Sequence, residues 1–322
     1  MERCPLRLKE YTRSAIWGGH HLISDWNKQT DGENLAEAWE LSVRPGEMVT
    51  IVDGGFAGMP LDEYIGLCGG DCVAPSYHAG DRFPLLIKLI DTADTLSVQV
   101  HPDDAYADSV EHDLGKTEMW YIVDAEPGAS IVWGLRDGVN RDALAQAIRS
   151  DRIEECLHRQ AVRAGECYYI PAGMLHAIGG GILIAEIQQN SDLTYRVYDY
   201  NRRGTDGKLR ELHVQKALDV TRSFTTEEIR ARQFARGNSP VPGGELLADS
   251  QYFRVVRYPV RGELTLCVDT TSFVSLLCID GTGSLLYGNK KYPVERGTSY
   301  FLPAGMGEYR ASGNMTLIES RL

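Results

Sequence analysis

The sequence predicts a mainly β protein built as two related barrel or jelly-roll units, with a few helices inserted in and after the first. Three observations carry this reading. Most of the chain falls into short runs of β-branched and aromatic residues closed by Gly, Pro and Asp turns. The helices that a parallel α/β sheet needs between nearly every strand pair are missing. One supersecondary unit also occurs twice: Gly165-ECYYI-Pro171-Ala172-Gly173-Met174-Leu175-His176 has the spacing of Gly297-TSYFL-Pro303-Ala304-Gly305-Met306-Gly307-Glu308. In both copies a turn glycine, a five-residue strand and a Pro-x-Gly corner precede one polar residue, as expected of a repeated barrel corner.

Taken in order, the strand candidates are LLIKLI (85–90), TLSVQV (95–100), MWYIVD (119–124), SIVWGL (130–135), CYYIP (167–171), ILIAEIQ (182–188) and TYRVYDY (194–200). Two segments read as helical. Over 140–158, Asn140 can cap the start, while Leu144, Ile148, Ile153, Cys156 and Leu157 mark apolar faces. A shorter case spans 211–221. The Gly- and Pro-rich stretch around 235–246 has no periodicity and reads as a linker. We expect residues 1–240 to form the catalytic unit with its helical segments. Residues 241–322 then form a second, degenerate unit without a metal site, since Glu308 stands where the first has His176 and no histidine follows His213.

Bulk properties limit the function classes. A net charge of −12 argues against nucleic acid or an anionic membrane as partner, since both need a basic face. It leaves room for an anionic small molecule, because a few local Lys or Arg residues can dominate a pocket. The N-terminal region has no apolar run long enough for a signal peptide or a membrane span. Seven scattered cysteines suggest free thiols rather than a disulfide framework. The expectation is a soluble cytoplasmic monomer or homodimer acting on a small molecule.

Three segments place metal-coordinating side chains at strand ends: Gln99-Val100-His101, Lys116-Thr117-Glu118, and His176. Residues two apart on a strand share a face, so Gln99 and His101 point the same way, and a barrel interior gathers such residues from several strands. Two imidazoles, a carboxylate and an amide oxygen suit zinc and would also accept manganese, iron, cobalt or nickel. Three strong ligands leave room for water or substrate, the arrangement of a catalytic site. By default a histidine near a strand end is a partly buried structural residue. His20, His21, His78, His112, His158 and His213 lack a comparable setting and read as surface or structural residues.

The corner Gly165-x5-Pro171-x-Gly173-x2-His176 resembles the second cupin motif. More narrowly, SVQVHPDD, GKTEMWYI and EIQQNSDLTYRVYDYNR resemble the short bacterial branch of the type I mannose-6-phosphate isomerases, and the likeness runs over nearly the whole chain. This resemblance implies one divalent ion, zinc, held by His101, Glu118 and His176, with Gln99 at the position of a fourth ligand. It also implies an active-site role for Arg196, an acid–base or substrate-contacting role for Lys116, and participation of Asp192 in substrate binding. The reaction implied interconverts mannose 6-phosphate and fructose 6-phosphate.

Such an isomerisation moves a proton between C2 and C1 through an enediol, placing negative charge on O1 or O2. A nearby cation stabilises that charge while a positioned acid and base relay the proton. Arg196, permanently charged, fits charge stabilisation better than proton abstraction, although an arginine in an alternating strand is commonly an ion-pairing residue. Lys116 could serve as acid or base if its pKa were depressed, and by default it is a solvated turn lysine. Lys88 lies inside the apolar run LLIKLI, so it either escapes to solvent or meets an anion, which would make it a substrate or phosphate contact. Trp17 is expected to pack in the core. Competing readings are a cupin isomerase for another phosphosugar, an iron-dependent cupin oxygenase, and a catalytically silent sugar-binding cupin. The 141–158 segment is a candidate wall or lid over the pocket.

Overall fold

The structure is a computed structural model describing residues 3–78, 80–204 and 207–322. Its strand pairings are antiparallel and form three sheets. A six-stranded sheet runs in the order Cys167–Ile170, Glu118–Ala125, Ile182–Gln189, Leu85–Thr92, Glu37–Leu41, Tyr11–Arg13. A five-stranded sheet runs Tyr195–Tyr198, Val98–Val100, His176–Ile178, Ser130–Leu135, Leu157–Ala161. The two face each other as a jelly roll, with Ile131 and Ile178 of the smaller sheet packed in one core with Met119 and Trp120 of the larger. The expectation of a mainly β, cupin-type architecture is met.

Register explains how a charged row comes to lie inside this barrel. Trp39 pairs with Lys88, Lys88 with Glu186, and Glu186 with Trp120, so four adjacent strands point these side chains to one face. Both faces of Leu85–Thr92 and Ile182–Gln189 are buried, because the far face packs against the rest of the chain. That double burial is why these strands read as apolar runs rather than alternating ones.

The third sheet has eight strands and is built mainly from the C-terminal part of the chain. Arg254–Val268 pairs with Gly307–Arg321 along its whole length, and Gly307–Arg321 pairs on its other side with Val274–Tyr287. Alternation sends Val256, Tyr258 and Leu317 into a second core, while Val255 and Ile318 join the first. Leu6–Lys9 adds to this sheet by pairing with Ser299–Leu302, so the start of the chain is stitched into the C-terminal unit.

Both repeat corners have the same backbone. Gly165 and Gly297 take φ of +92° and +84°, and Gly173 and Gly305 take +90° and +73°, in the left-handed region that glycine adopts without strain.

The chain has six α-helices among the described residues, more than the two segments read from sequence. Asn140 does cap Arg141–Arg149, accepting from the Ala143 amide at 2.9 Å. The helix does not continue to 158: Asp151 takes φ +56°, and Ile153–Cys156 forms a separate 3-10 turn before the Leu157–Ala161 strand. The 211–221 segment is helical over Val214–Val220. Asp104–Glu111 and Thr226–Gln233 lie outside those two segments although both have readable caps, Asp103 in the first and the Thr225/Glu228 capping box in the second. No helix among the described residues is long and apolar enough to cross a membrane.

Candidate metal centre

His101 follows the Val98–Val100 strand, and Pro102, lacking an amide hydrogen, ends that strand at once. The Lys116 amide donates to the Pro102 carbonyl at 3.0 Å, tying the ligand end of one strand to the start of another. Gly115 makes this approach possible, since a Cβ there would collide with the backbone of Asp103 and Asp104. Gln189 adds a second tie: it accepts from the Thr117 amide and donates to Asp104, each at 2.9 Å. At the corner, the Gly173 amide donates to the His101 carbonyl at 2.8 Å, which docks the turn carrying His176 onto the first ligand.

The result is a buried triad. One ligand atom from each of His101, Glu118 and His176 lies within 4.8 Å of the others. The His101 Nδ1 lies 2.7 Å from the Leu193 carbonyl and the His176 Nδ1 lies 2.8 Å from that of Met174. A carbonyl can only accept, so each Nδ1 carries the proton and each Nε2 presents a lone pair. Those two Nε2 atoms face each other at 3.1 Å, and Glu118 carboxylate oxygens stand 3.6 Å and 3.4 Å from them. Both Glu118 oxygens are buried without a well-directed donor. Converging lone pairs and a buried carboxylate, all out of water, fit a divalent cation. Burial holds His176 down to about 4 and His101 well below its ordinary value, with Lys116 pushing both the same way, so both imidazoles are neutral as ligation requires.

Beside the triad is a cavity of about 300 Å³. Gln99, Lys88, Lys116, Asp192 and Arg196 all line it, so the structure brings every remaining residue singled out from sequence to one place, together with Glu186. Gln99 is half-buried and pairs across strands with both His176 and Arg196. The Lys116 ammonium lies 3.0 Å from Glu118 and 3.2 Å from the His101 Nε2. Burial alone would lower its pKa, but Glu118 and Glu186 more than offset this and raise it, opposite to the depression a free-amine base would need. Arg196 donates to the Glu211 carbonyl at 2.9 Å, and its Nε is buried without a partner. Burial and the neighbouring Arg210 lower its pKa against the opposing pull of Asp199, and its side chain lines the cavity.

Lys88 does not escape to solvent. Its ammonium is buried 3.3 Å from Glu37, 3.8 Å from Glu186 and 3.9 Å from Asp192, and 4.5 Å from the Trp39 ring centroid. The anions it meets within the fold are therefore carboxylates. Asp192 sits below the usual carboxylate range: burial would raise it, but Lys88, Lys116 and Arg13 outweigh that. Trp17 packs in the core as expected, and its edge reaches the same cavity.

Several residues here escaped the sequence reading. Glu186 is the main one, a buried carboxyl pushed up to about 7 by burial and by Glu118, against the opposing pull of Lys116 and Lys88. It accepts from the Trp120 indole at 3.0 Å. Its signal was the same as that of Lys88, a charge inside an apolar strand. Arg210 and Arg13 also line the cavity, and they come from loop and edge segments whose position nothing local reveals. His213, set aside as structural, accepts from the Arg196 amide at 3.2 Å and so helps hold that strand.

Comparison with known proteins gives a concordant set of likenesses. The family model "Phosphomannose isomerase type I, catalytic domain" matches residues 6–130, and "Mannose-6-phosphate isomerase, cupin domain" matches 245–322. The chain is 35% identical over 319 residues to the mannose-6-phosphate isomerase ManA of Bacillus subtilis, covering 99% of each. A crystal structure of the mannose 6-phosphate isomerase from Bacillus subtilis superposes with a TM-score of 0.86 at 35% identity, again over 99% of each chain. A zinc-bound holo mannose 6-phosphate isomerase shares the fold, with a TM-score of 0.78 at 15% identity over 98% of each chain.

Proposed function

The chain belongs to the type I mannose-6-phosphate isomerase family, and on that premise we propose that it interconverts mannose 6-phosphate and fructose 6-phosphate through an enediol, with zinc as its ion. The single observation behind this reading is the juxtaposition of the triad with the Lys116–Glu186–Asp192–Arg196 cavity. A bare metal site would not need these groups, and a silent sugar-binding relative would have no chemical use for them.

When bound, a divalent cation on His101, Glu118 and His176, with Gln99 as a fourth ligand, supplies positive field to sugar oxygens that gain negative charge. Two imidazoles and a carboxylate are a zinc-type donor set. The rest of the work falls to the protein. Glu186 is proposed to carry the proton between C2 and C1, because it is a carboxyl on the cavity wall whose pKa is raised by burial and by Glu118. Lys116, kept as an ammonium, donates toward the sugar oxygens. Arg196 stabilises the developing enediolate or the phosphate with its unpaired Nε. Lys88 and Asp192 hold sugar hydroxyls, and Lys88 fits phosphate poorly because three carboxylates surround it. Residues 1–240 are proposed as the catalytic unit, with 241–322 as a partner lacking a metal site.

A coupled assay on mannose 6-phosphate with metal-reconstituted protein tests the substrate. Turnover that disappears with a chelator and returns with zinc is the expected result. Absence of turnover in fully metallated protein, with activity on another aldose phosphate, would move the substrate assignment.

A further inference from the structure

The likeness between the two units extends beyond the repeated corner. In the first, the Gly173 amide donates to the His101 carbonyl, and His176 pairs across strands with Gln99. In the second, the Gly305 amide donates to the Asp269 carbonyl, and Glu308 pairs with Cys267. Cys267, Asp269 and Glu308 therefore hold the places of Gln99, His101 and His176, and all three are exposed. Among the described residues these three positions form no His/Cys/Asp/Glu cluster of metal-binding geometry, and a guanidinium lies beside them. Arg321 reaches the Cys267 carbonyl at 3.5 Å and Asp269 at 3.7 Å.

Arg321 opens onto a cleft of about 510 Å³ beside the C-terminal sheet. Register puts Arg254 opposite Arg321, Val256 opposite Glu319 and Tyr258 opposite Leu317, so these residues share the inward face. Glu319 is 2% exposed and lies on the middle strand of that wall. Its Oε1 accepts from Arg321 at 2.7 Å, whereas its Oε2 is buried with no partner. An orphaned carboxylate oxygen is costly in a native fold, so something with a donor is expected to meet it. Across the cleft, Arg236 lies 3.0 Å from Asp249 and Arg254 lies 3.5 Å from it.

We propose that this cleft binds a small neutral polyhydroxylated molecule, a free sugar or polyol, through Glu319, Arg321 and Arg254. Carboxylates here can only accept and guanidinium groups can only donate, while each sugar hydroxyl does both, so vicinal hydroxyls bridge such a pair. The three arginines are matched by Asp249, Asp269 and Glu319, which leaves no surplus positive charge for a phosphate. That balance separates this cleft from the catalytic cavity, where Arg196 faces the interior without a carboxylate at its Nε. The Tyr258 ring supplies an apolar edge for the sugar carbons.

The test is saturation-transfer NMR on the full-length, zinc-loaded enzyme with D-mannitol, which has no carbonyl and cannot be isomerised, and with inorganic phosphate as the anionic comparison. Saturable mannitol binding is expected, unaffected by phosphate and retained after the zinc is stripped. Glu319→Gln should weaken it at least about tenfold while leaving kcat/KM on mannose 6-phosphate unchanged. Should Glu319→Gln fold poorly, Arg254→Gln at the rim should show the same selective loss. No saturable mannitol signal in the wild type would overturn the proposal. So would a signal lost with the zinc, displaced by phosphate, or unchanged in a folded variant.

Discussion

His101 and His176 hold their Nε2 atoms 3.1 Å apart with both Nδ1 hydrogens already committed to the carbonyls of Leu193 and Met174. Two neutral imidazoles so arranged present lone pair to lone pair, an arrangement that suits a shared cation. The fold therefore orients both imidazoles through their backbone partners.

Removing one of these ligands should abolish metal retention without unfolding the barrel. In His176→Ala, zinc content by plasma mass spectrometry should fall by about tenfold or more, with circular dichroism unchanged. The exposed His78 is the control, and His78→Ala should keep full occupancy. Full metal occupancy in His176→Ala would mean that the site lies elsewhere.

Glu186→Gln separates proton transfer from metal binding. It keeps the acceptor for the Trp120 indole, so zinc content should remain normal while kcat drops by about 10²–10⁴. A variant with near wild-type kcat would pass the proton-transfer role to another group.

For Arg196→Ala the expected loss is about a hundredfold in kcat/KM, again at full metal content. Should Arg196 serve only the strand it sits on, through its bond to the Glu211 carbonyl, melting temperature would fall while kcat/KM stayed within a few-fold of wild type.

Gly173→Ala probes the corner that docks on His101. Its φ is +90°, and an added Cβ would meet the Val220 carbonyl at 2.9 Å. The cost should be about 1–3 kcal/mol in urea unfolding, with loss of zinc affinity because the amide bonded to His101 shifts. Unchanged stability and affinity would show that the corner tolerates more than its geometry implies.

Asp199 gives a pH signature of stability. It is buried with Arg202 at 2.7 Å, and Arg210 also bonds it; these partners outweigh burial and lower its pKa. With the folded pKa below the unfolded one, the stabilisation is present above the unfolded value and is lost as pH falls through the folded value. Asp199→Asn should therefore cost about 2 kcal/mol at neutral pH, and the gap to wild type should close on acidification. A gap that stays constant down to acid unfolding would rule out this ion pair as its source.

The sequence by itself determined the barrel class, the repeated corner and the choice of His101, Glu118 and His176 as candidate ligands. These depend on local information: strand-length apolar runs, glycines needed at positive φ, and same-face spacing two residues apart. The caps at Asp103 and Thr225 were equally legible local signals. So was Glu186, which is as conspicuous in ILIAEIQ as Lys88 is in LLIKLI.

Only the tertiary structure decided what surrounds those residues. Lys88 could have met phosphate or solvent; strand register instead set it against Glu186, with Glu37 and Asp192 nearby. Lys116 keeps its proton because Glu118 and Glu186 converge on it from two strands. Arg210 reaches the cavity from a loop, and Leu6–Lys9 crosses to the second unit's sheet. The physical reason is common to all of these. Burial and charge neighbours are properties of pairs distant in sequence, fixed by strand register and loop closure, whereas residue type and spacing along one strand are local.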